Sequence, residues 1–599
     1  MSGRCERSPF LSLLGSLLGI LLVATPAVAQ VKLVPTQAKS APAQVKAPAT
    51  VGGFPAAKAL ALGERMYREG ILPSGEPMSS IVSGDVQVAG TSFSCVSCHL
   101  RGGLGSWEGG IVTLPTNAAR LSIPRYWKFP NLSLEERKEL KLQNPAARPA
   151  YTNETLAHLI RTGRDPGGTD MHPVMPRYYL SDPDMAILLS YLGTLSAKHS
   201  PGVIGDTLHF ATVITPEVSE DDQQAMLVPI KNYVQRHNQF SSGFGNRMYL
   251  GVGGNEMSGA YRKMALSVWR LQGAPDTWGR QLEAFLAKDP VFAMLGGISY
   301  GDWKPIHDFC ERTQLPCLFP VTDLPVVSDT DWYTQYFSKG YYQEGQAAAR
   351  YLNGLDDPAA ARKVLQLVQD TPQGRALAQG FREAWAELGH APIKELSLPQ
   401  EGTLDASGLA AILDQEKPST VLLWTGDSAY PALDALLRKG SLLVNAFLSG
   451  RLLGARVTSL PEHLWSRVWI TYPYREPQLE PKFSAYADTL LAGLTKRHPE
   501  TRISTRTYAM VQVLRQALMD MDRHFYRDNL LDRIGMQRDQ FLPDYLRLSF
   551  GPGQRYASKG CYIMQVGLSP APKVAPGPAP QVKPVQVPVL LRKSEWVIH

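Results

Sequence analysis

The chain has 599 residues, enough for roughly three to four domains of ordinary size. Hydrophobic residues make up 44% and charged residues 19%, values typical of globular protein, which argue against a disordered chain or a membrane bundle. The formal net charge of +7 is small for this length and the basic residues are scattered, so nucleic acid is not an expected partner.

The first residues have the pattern of an export signal. Arg4 and Arg7 precede an apolar run over residues 10–23, and the Ala-Val-Ala of residues 27–29 offers a cleavage site. The apolar run is too short for a comfortable membrane span. We therefore predict a signal peptide at residues 1–29, a periplasmic location and no stable membrane span after cleavage. A retained N-terminal anchor is the alternative.

Residues 30–55 are rich in Pro, Ala, Val and Lys and lack apolar periodicity, which predicts an extended linker. From Ala56 the apolar spacing becomes helical. Further on, Cys95-Val-Ser-Cys98-His99 has two thiols and an imidazole at the spacing used for covalent haem attachment. Cys95 and Cys98 would form thioethers and His99 would supply an axial bond to iron. A zinc site or a redox dithiol is the alternative, and each would need a further structural context.

The residues that follow His99 are rich in glycine, which predicts a loop suited to close packing against a flat ring. Helices are predicted at Tyr151–Gly163 and Asp182–Leu195. Between them lies Met175-Pro176, in which the proline stiffens the loop that carries the thioether. Met175 is therefore the expected second axial ligand, with the nearby Met171 and His172 as alternatives.

Together, residues 56–197 resemble a class I mono-haem cytochrome c, with CxxCH near the start, a Met-Pro loop downstream and a closing helix that ends in Tyr-Leu. The resemblance implies an all-α domain that holds one covalently attached haem c through Cys95, Cys98, His99 and Met175. It also implies one-electron transfer with a periplasmic redox partner, in a dehydrogenase or oxidase chain. Methionine ligation raises the potential relative to two histidines.

From Asp206 onwards, short β-branched runs alternate with helical stretches, which is typical of parallel sheets covered on both faces. The predicted segments include a strand at Thr207–Ile214 and a helix at Tyr261–Gln272. Two such sets predict two α/β lobes with a cleft between them. Cys310 and Cys317 flank a short connection, and they are either a local disulfide or two free buried thiols.

This second part, residues 206–599, resembles the type I periplasmic binding proteins related to amino-acid and amide receptors of ABC transporters. The resembling text includes the run Asp289-Pro-Val-Phe-Ala-Met-Leu-Gly-Gly and the run Leu315-Pro-Cys-Leu-Phe-Pro-Val-Thr, and it continues past a Pro-rich insert at 570–588 to a final strand. The resemblance implies a ligand cleft at the carboxyl ends of the strands. The candidate cleft residues are Ser299, Tyr300, Thr322, Asp323, Gln373 and Asp427.

Within that set, Ser299 and Thr322 would offer hydroxyl and N–H groups to a carboxylate, and ordinary strand-end capping is the alternative. Gln373 stands where amino-acid receptors carry an aromatic residue, and no acid that would hold an ammonium group follows Phe447. An aliphatic amino acid is therefore not the expected ligand.

The sequence thus predicts a multidomain protein in which an all-α cytochrome c domain precedes a two-lobed α/β periplasmic-binding-protein fold. The predicted function is one-electron transfer by an exported cytochrome coupled to a module that binds a small-molecule solute or a partner protein. The alternative is a periplasmic solute-binding receptor, of an ABC transporter or a sensory system, with an accessory haem. Residues 206–599 contain no evident nucleophile-base pair, so a carrier or binding protein is expected rather than a stand-alone enzyme.

Overall fold

The computed structural model describes residues 50–598 apart from 109, 126–137, 139–146, 244–261, 356–362, 427–428, 439–444, 478, 480–501 and 570–586. The predicted signal peptide, the predicted linker up to residue 49, Asp427 and most of the Pro-rich insert lie outside the described residues. The chain from Thr50 onwards forms one compact unit.

The helices and strands of the described residues follow in chain order. The helices are α1 (Ala56–Glu69), α2 (Val96–His99), α3 (Ala118–Leu121), α4 (Asn153–Thr162), α5 (Asp182–Leu192), α6 (Glu220–Gly243), α7 (Trp278–Lys288), α8 (Lys304–Arg312), α9 (Gly340–Asn353), α10 (Pro372–Glu387), α11 (Ala406–Glu416), α12 (Tyr430–Arg438), α13 (Gly450–Leu453), α14 (Ile503–Asp520) and α15 (Arg527–Gly535). The strands are β1 (Thr50–Val51), β2 (Phe54–Pro55), β3 (Ser79–Val82), β4 (Val86–Ala89), β5 (Trp107–Glu108), β6 (Ile111–Val112), β7 (Arg177–Tyr178), β8 (Val203–Ile204), β9 (Thr207–Ile214), β10 (Lys263–Arg270), β11 (Ala293–Leu295), β12 (Cys317–Leu318), β13 (Thr334–Gln335), β14 (Val364–Gln369), β15 (Lys394–Leu398), β16 (Thr420–Trp424), β17 (Asn445–Ser449), β18 (Val468–Tyr472), β19 (Gly560–Leu568), β20 (Pro588–Arg592) and β21 (Val597–Ile598).

The first part of the chain, up to residue 197, contains the three longer helices that the sequence predicts. The α4 helix is capped by Thr152, whose side chain accepts the N–H of Thr155. However, this part is not purely helical, because β3 pairs with both β4 and β7 in a small antiparallel sheet. The end of the predicted linker also has regular structure, since β1 and β2 pair as a hairpin. An all-α description is therefore incomplete.

The second part forms the two predicted α/β lobes. The first sheet has the order β10-β9-β11-β12-β13, and β8 is added antiparallel to β9. The second sheet has the order β15-β14-β16-β17-β18-β19-β20, with β21 on β19. Its first five strands are parallel and the pairs β18-β19 and β19-β20 are antiparallel. The two-lobed α/β prediction is confirmed for this part.

One predicted element is wrong. The helix expected at Tyr261–Gln272 is the strand β10, which pairs in parallel with β9 from Lys263 to Arg270. The apolar run of this segment is short, and periodicity alone does not separate a short buried strand from a helix. Pairing with β9 makes this segment a strand. In that pairing Lys263 lies opposite Thr207, which is 56 residues earlier in the chain.

The connection between the two parts is packed rather than free. The Ser196 hydroxyl donates to the carbonyl of Gly102 at 2.8 Å, and the Ser200 N–H donates to the carbonyl of Phe525 at 3.2 Å. The α14 helix packs on α6 in the first lobe, and α15 follows it. None of the helices in the described part of the chain has both the length and the apolar character needed to cross a membrane.

The thiols of the second part are buried. Cys310, Cys317 and Cys561 are free and fully buried, so the structure contains the two-thiol alternative rather than the local disulfide. A buried free cysteine behaves as a small apolar residue.

The close approach of α9 and α10 gives a stability prediction. A Cβ atom at Gly380 would lie 2.0 Å from the Tyr342 carbonyl oxygen, so Gly380→Ala must push the helices apart. We expect a loss of about 1–3 kcal/mol in the free energy of unfolding, measured by urea denaturation. Gly279→Ala is the matched control, because a Cβ there meets nothing within 4 Å, and it should leave stability unchanged or raised by up to about 1 kcal/mol. Equal effects of the two substitutions would contradict the packing argument.

Candidate functional site

A cavity of about 610 Å³ in the first part brings together the residues of the predicted haem site. Its wall contains Cys95, Cys98, His99 and Met175, and also Met171. Apolar side chains complete the wall, among them Leu156, Leu159, Ile160, Leu188 and Leu192 from α4 and α5. The volume lies in the range of cofactor sites, and an apolar lining with few polar groups is their usual composition.

The hydrogen bond of His99 fixes which ring nitrogen is available. Nδ1 lies 2.7 Å from the carbonyl oxygen of Leu114, which can only accept, so Nδ1 carries the hydrogen. Nε2 is then the unprotonated nitrogen, as a metal-binding histidine requires. Burial lowers the pKa of His99 to about 4, so the ring is neutral at neutral pH. The donor set of this site therefore fits a haem iron.

The two cysteines do not have the properties of a redox dithiol. Burial raises the pKa of Cys95 to about 12, and burial also raises the pKa of Cys98. A reactive dithiol instead needs a lowered thiol pKa. Across the described residues, no cluster of three or more His, Cys, Asp or Glu side chains is placed to hold a metal ion.

Two methionines remain for the second axial position. Met171 and Met175 both line the cavity and pack, partly buried, against the core of this part. His172 also reaches the wall, but it is exposed, and its Nδ1 accepts the N–H of Val174 at 3.3 Å. The geometry thus favours a thioether over a second imidazole.

Two tyrosines of this site, Tyr67 and Tyr178, were not among the predicted site residues. The hydroxyl of Tyr67 donates to the carbonyl of Leu100 at 2.7 Å, and that of Tyr178 donates to the carbonyl of Phe93. Both rings are buried beside the cysteine segment. Burial raises the pKa of both tyrosines, so both hydroxyls remain donors. Only Tyr178 could have been predicted as a site residue from the sequence, because it lies three residues after Met175.

In the second part, Ser299 and Tyr300 lie after a strand of the first lobe and already hold a carboxylate, that of Glu217. One oxygen of Glu217 accepts the Ser299 hydroxyl at 2.9 Å and the Tyr300 N–H at 3.1 Å. It also accepts the Thr215 hydroxyl at 2.6 Å and the Gly301 N–H at 3.3 Å. Partial burial alone would raise the pKa of Glu217, but these donors hold it below its usual value. These four donors are placed to bind a carboxylate, and Glu217 of the same chain supplies it.

Thr322 and Asp323 belong to a different cluster. The Thr322 hydroxyl accepts the N–H of Leu324 at 3.1 Å, which is the capping role. Asp323 pairs with Arg451 and, at 3.1 Å, with Arg506. Burial opposes ionisation of Asp323, but the two arginines lower its pKa. Since Arg451 follows β17 of the second sheet, this ion pair joins the two lobes.

Arg451 also pairs with a second, buried acid, which was not among the predicted site residues. Glu344 lies on α9 and is completely buried. It lies 3.1 Å from Arg451 Nε and accepts the hydroxyls of Ser449 at 2.8 Å and Thr471 at 2.7 Å. Burial raises the pKa of Glu344 to about 7, against the opposing effect of Arg451. No spacing rule connects these residues, although Arg451 stands two positions after a buried strand.

The remaining two predicted cleft residues do not join these clusters. Gln373 lies half-buried in the first turn of α10, whose N-cap Thr371 accepts the N–H of Gly374 at 3.1 Å. Asp427 lies outside the described residues.

Comparison with known proteins concerns the second part. A profile described as periplasmic binding protein matches residues 262–565, just over half of the 599 residues. Curated protein sequences give no match. Residues 56–197 lie outside the stretch that the profile matches.

Solved structures that resemble this chain include ABC-transporter solute-binding proteins. One from Sphaerobacter thermophilus has 13% identity and a TM-score of 0.46, and the match covers 65% of this chain and 98% of that chain. A protein of Rhodopseudomonas palustris BisB5, in complex with 3,4-dihydroxybenzoic acid, has 16% identity, a TM-score of 0.43, and coverage of 66% and 98%. A branched-chain amino acid ABC transporter protein of Thermus thermophilus with bound valine has 13% identity, a TM-score of 0.43, and coverage of 66% and 98%. At such low identity, the ligands named for these structures do not transfer to this chain.

The buried ion pairs between the lobes give a second stability prediction. Arg451→Met removes the guanidinium that neutralises both Asp323 and Glu344. Since this leaves the fully buried Glu344 without its cationic partner and Asp323 with Arg506 alone, we expect a loss of about 3–5 kcal/mol in the free energy of unfolding, measured by urea denaturation. The control Arg438→Met removes an exposed helical ion pair with Asp434 and should cost less than about 1 kcal/mol. A loss at position 451 no larger than that of the control would show that the ion pairs do not hold the lobes together.

Proposed function

This chain belongs to the periplasmic binding protein family. We propose that its two-lobed α/β part serves as the platform of an exported electron carrier. In this proposal, residues 56–197 hold one covalently attached haem c and exchange single electrons with a periplasmic redox partner. The α/β part fixes the haem-bearing segment in place.

One observation carries the proposal: the CxxCH residues and both candidate methionines line a single apolar cavity. Cys95 and Cys98 would tether the group, and His99 Nε2 and the sulfur of Met175 would bind its iron. Bound haem supplies a couple that cycles between ferric and ferrous iron by one electron. The leucine-rich wall keeps water away from the site, and the thioether ligand favours the reduced state.

The location and the partner follow from the same proposal. The signal pattern at residues 1–29 and the family of the α/β part both support export to the periplasm. The net charge of +7 favours encounter with an acidic protein of a dehydrogenase or oxidase chain.

The haem proposal is tested by maturing the full chain with haem-attachment machinery. We expect c-type bands and one haem per chain in the wild type, and loss of covalent haem in a Cys95→Ser, Cys98→Ser double variant. Met175→Ala should retain the haem but lose the methionine-to-ferric-iron absorption band and lower the midpoint potential. Met171→Ala is the matched control and should retain both. A wild-type chain without covalent haem would overturn the proposal, and loss of the band only in Met171→Ala would reassign the ligand.

Family membership favours a second candidate function, that of a solute-binding receptor with an accessory haem. The observation that supports it is the set of donors around Ser299 and Tyr300, which is built to hold a carboxylate. In this candidate function, a small solute with a carboxylate would displace Glu217 from these donors.

The receptor candidate is tested by calorimetry with two small carboxylates, benzoate and valine. Glu217 competes as an internal ligand, so Glu217→Ala should raise the affinity for a carboxylate by about tenfold or more, equivalent to about 1.4 kcal/mol. Glu220→Ala is the control, because Glu220 is an exposed residue at the start of α6 and its carboxylate accepts only from Gln224 among the hydrogen bonds of the described residues. Binding of neither carboxylate to any of the three proteins would count against the receptor function for this class of solute.

A further inference from the structure

The helix α15 of the α/β part lies against the segment that directly follows His99. The carboxylate of Asp532 accepts the N–H of Arg101 at 3.2 Å and the N–H of Gly102 at 2.8 Å. Asp532 is 7% exposed, so these bonds are made away from water. Backbone donors aimed at a buried carboxylate are stronger than neutral hydrogen bonds.

A second acid on α15, Asp528, extends this contact. It pairs with Arg68 of α1 at 2.8 Å, and it lies 3.5 Å from the Arg101 Nε atom. It also accepts the hydroxyl of Tyr333 at 3.1 Å. The Arg101 guanidinium lies 4.2 Å from the centre of the Trp332 ring. The α/β part therefore contacts both the backbone N–H and the side chain of Arg101.

Between His99 and these clamped amides stands a strained residue. Leu100 has φ 62° and ψ 171°, a region that residues with a Cβ rarely adopt. Such a conformation persists only where neighbouring contacts hold it. Tyr67 holds the Leu100 carbonyl from one side, and Asp532 holds the next two N–H groups from the other.

The approach of α15 also explains a small residue in this segment. A Cβ atom at Gly102 would lie 3.3 Å from Asp532 Oδ2 and 3.4 Å from the backbone nitrogen of Asn529. Glycine thus lets the segment after His99 come within hydrogen-bond distance of α15.

We propose that Asp532, assisted by Asp528, is a positioning residue of the haem site, through which the α/β part fixes the His99 segment and lowers the haem potential. The inference rests on the proposed haem function. The buried negative charge of Asp532 lies against Arg101 and Gly102, which follow the axial ligand His99. Such a charge stabilises ferric iron more than ferrous iron, because the ferric state carries one more positive charge. The α/β part is then a component of the redox site and not only its carrier.

The test compares midpoint potentials of full-length, haem-loaded proteins. Asp532→Asn preserves the side-chain shape and removes the charge, and Asp528→Asn does the same at the neighbouring, less buried position. Asp539→Asn is the matched control, since Asp539 is paired with Arg547 on the surface. Potentials are measured at pH 8.5, because burial raises the pKa of Asp532 to about 7 and the carboxylate is ionised above it.

We expect a positive shift in Asp532→Asn, a smaller positive shift in Asp528→Asn, and the wild-type potential in Asp539→Asn. The absorption spectrum should keep its axial ligands, which separates this effect from loss of His99 or methionine. If Asp532→Asn does not accumulate as folded protein, the sign of the shift in Asp528→Asn decides the question. Haem-loaded variants at positions 532 and 528 with the wild-type potential would overturn the inference. A wild-type chain without covalent haem would instead overturn the proposed function.

Discussion

A buried carboxylate must find donors, since an unpaired charge away from water costs several kcal/mol. In this chain, that requirement connects parts that are far apart in sequence. Asp532 takes the amides after His99, and Asp323 and Glu344 share Arg451 between the lobes. Burial opposes ionisation of each acid, and its partners favour it. These few polar contacts therefore help to fix the segment after His99 and the two lobes relative to one another.

The same constraint decides the state of the strand-end cleft. The donors that the sequence predicts for a carboxylate are present at Ser299 and Tyr300, and Glu217 fills them from within the chain. An internal ligand acts at a high effective concentration and needs no solute from outside. The donors at Ser299 and Tyr300 are therefore already occupied from within the chain, and Arg506 is likewise paired with Asp323.

Local patterns made much of this architecture predictable. The strand β9 begins and ends at the residues that the sequence predicts, because its apolar run is bounded by turn residues. The CxxCH spacing needs only one turn of helix, α2, and the cavity gathers Cys95, Cys98 and His99 with both methionines. By contrast, β10 was mistaken for a helix because its state is set by the neighbouring strand.

The missed site residues have a common cause. Arg451 and Glu344 are 107 positions apart in the chain, and Asp532 and Gly102 are 430 apart. Hydrophobic periodicity carries no information on such pairs, because they depend on how two finished elements face each other. Glu217 was missed although it lies three residues after β9, since an acid after a strand has the sequence pattern of an ordinary exposed loop residue.

These contacts bear on why an electron carrier would be built on a binding-protein fold. A redox centre works best when its ligands hardly move between oxidation states, which requires a rigid surround. Residues 56–197 have a small core of their own, whereas the lobes bring two large sheets and the helices packed on them. The contact of α15 with the amides after His99 transfers that rigidity to the strained backbone at Leu100. In the proposed function, the lobes stabilise the haem segment through Asp532 whether or not a solute is bound, because Asp532 and its two amide partners lie outside the strand-end clusters of Glu217 and Asp323.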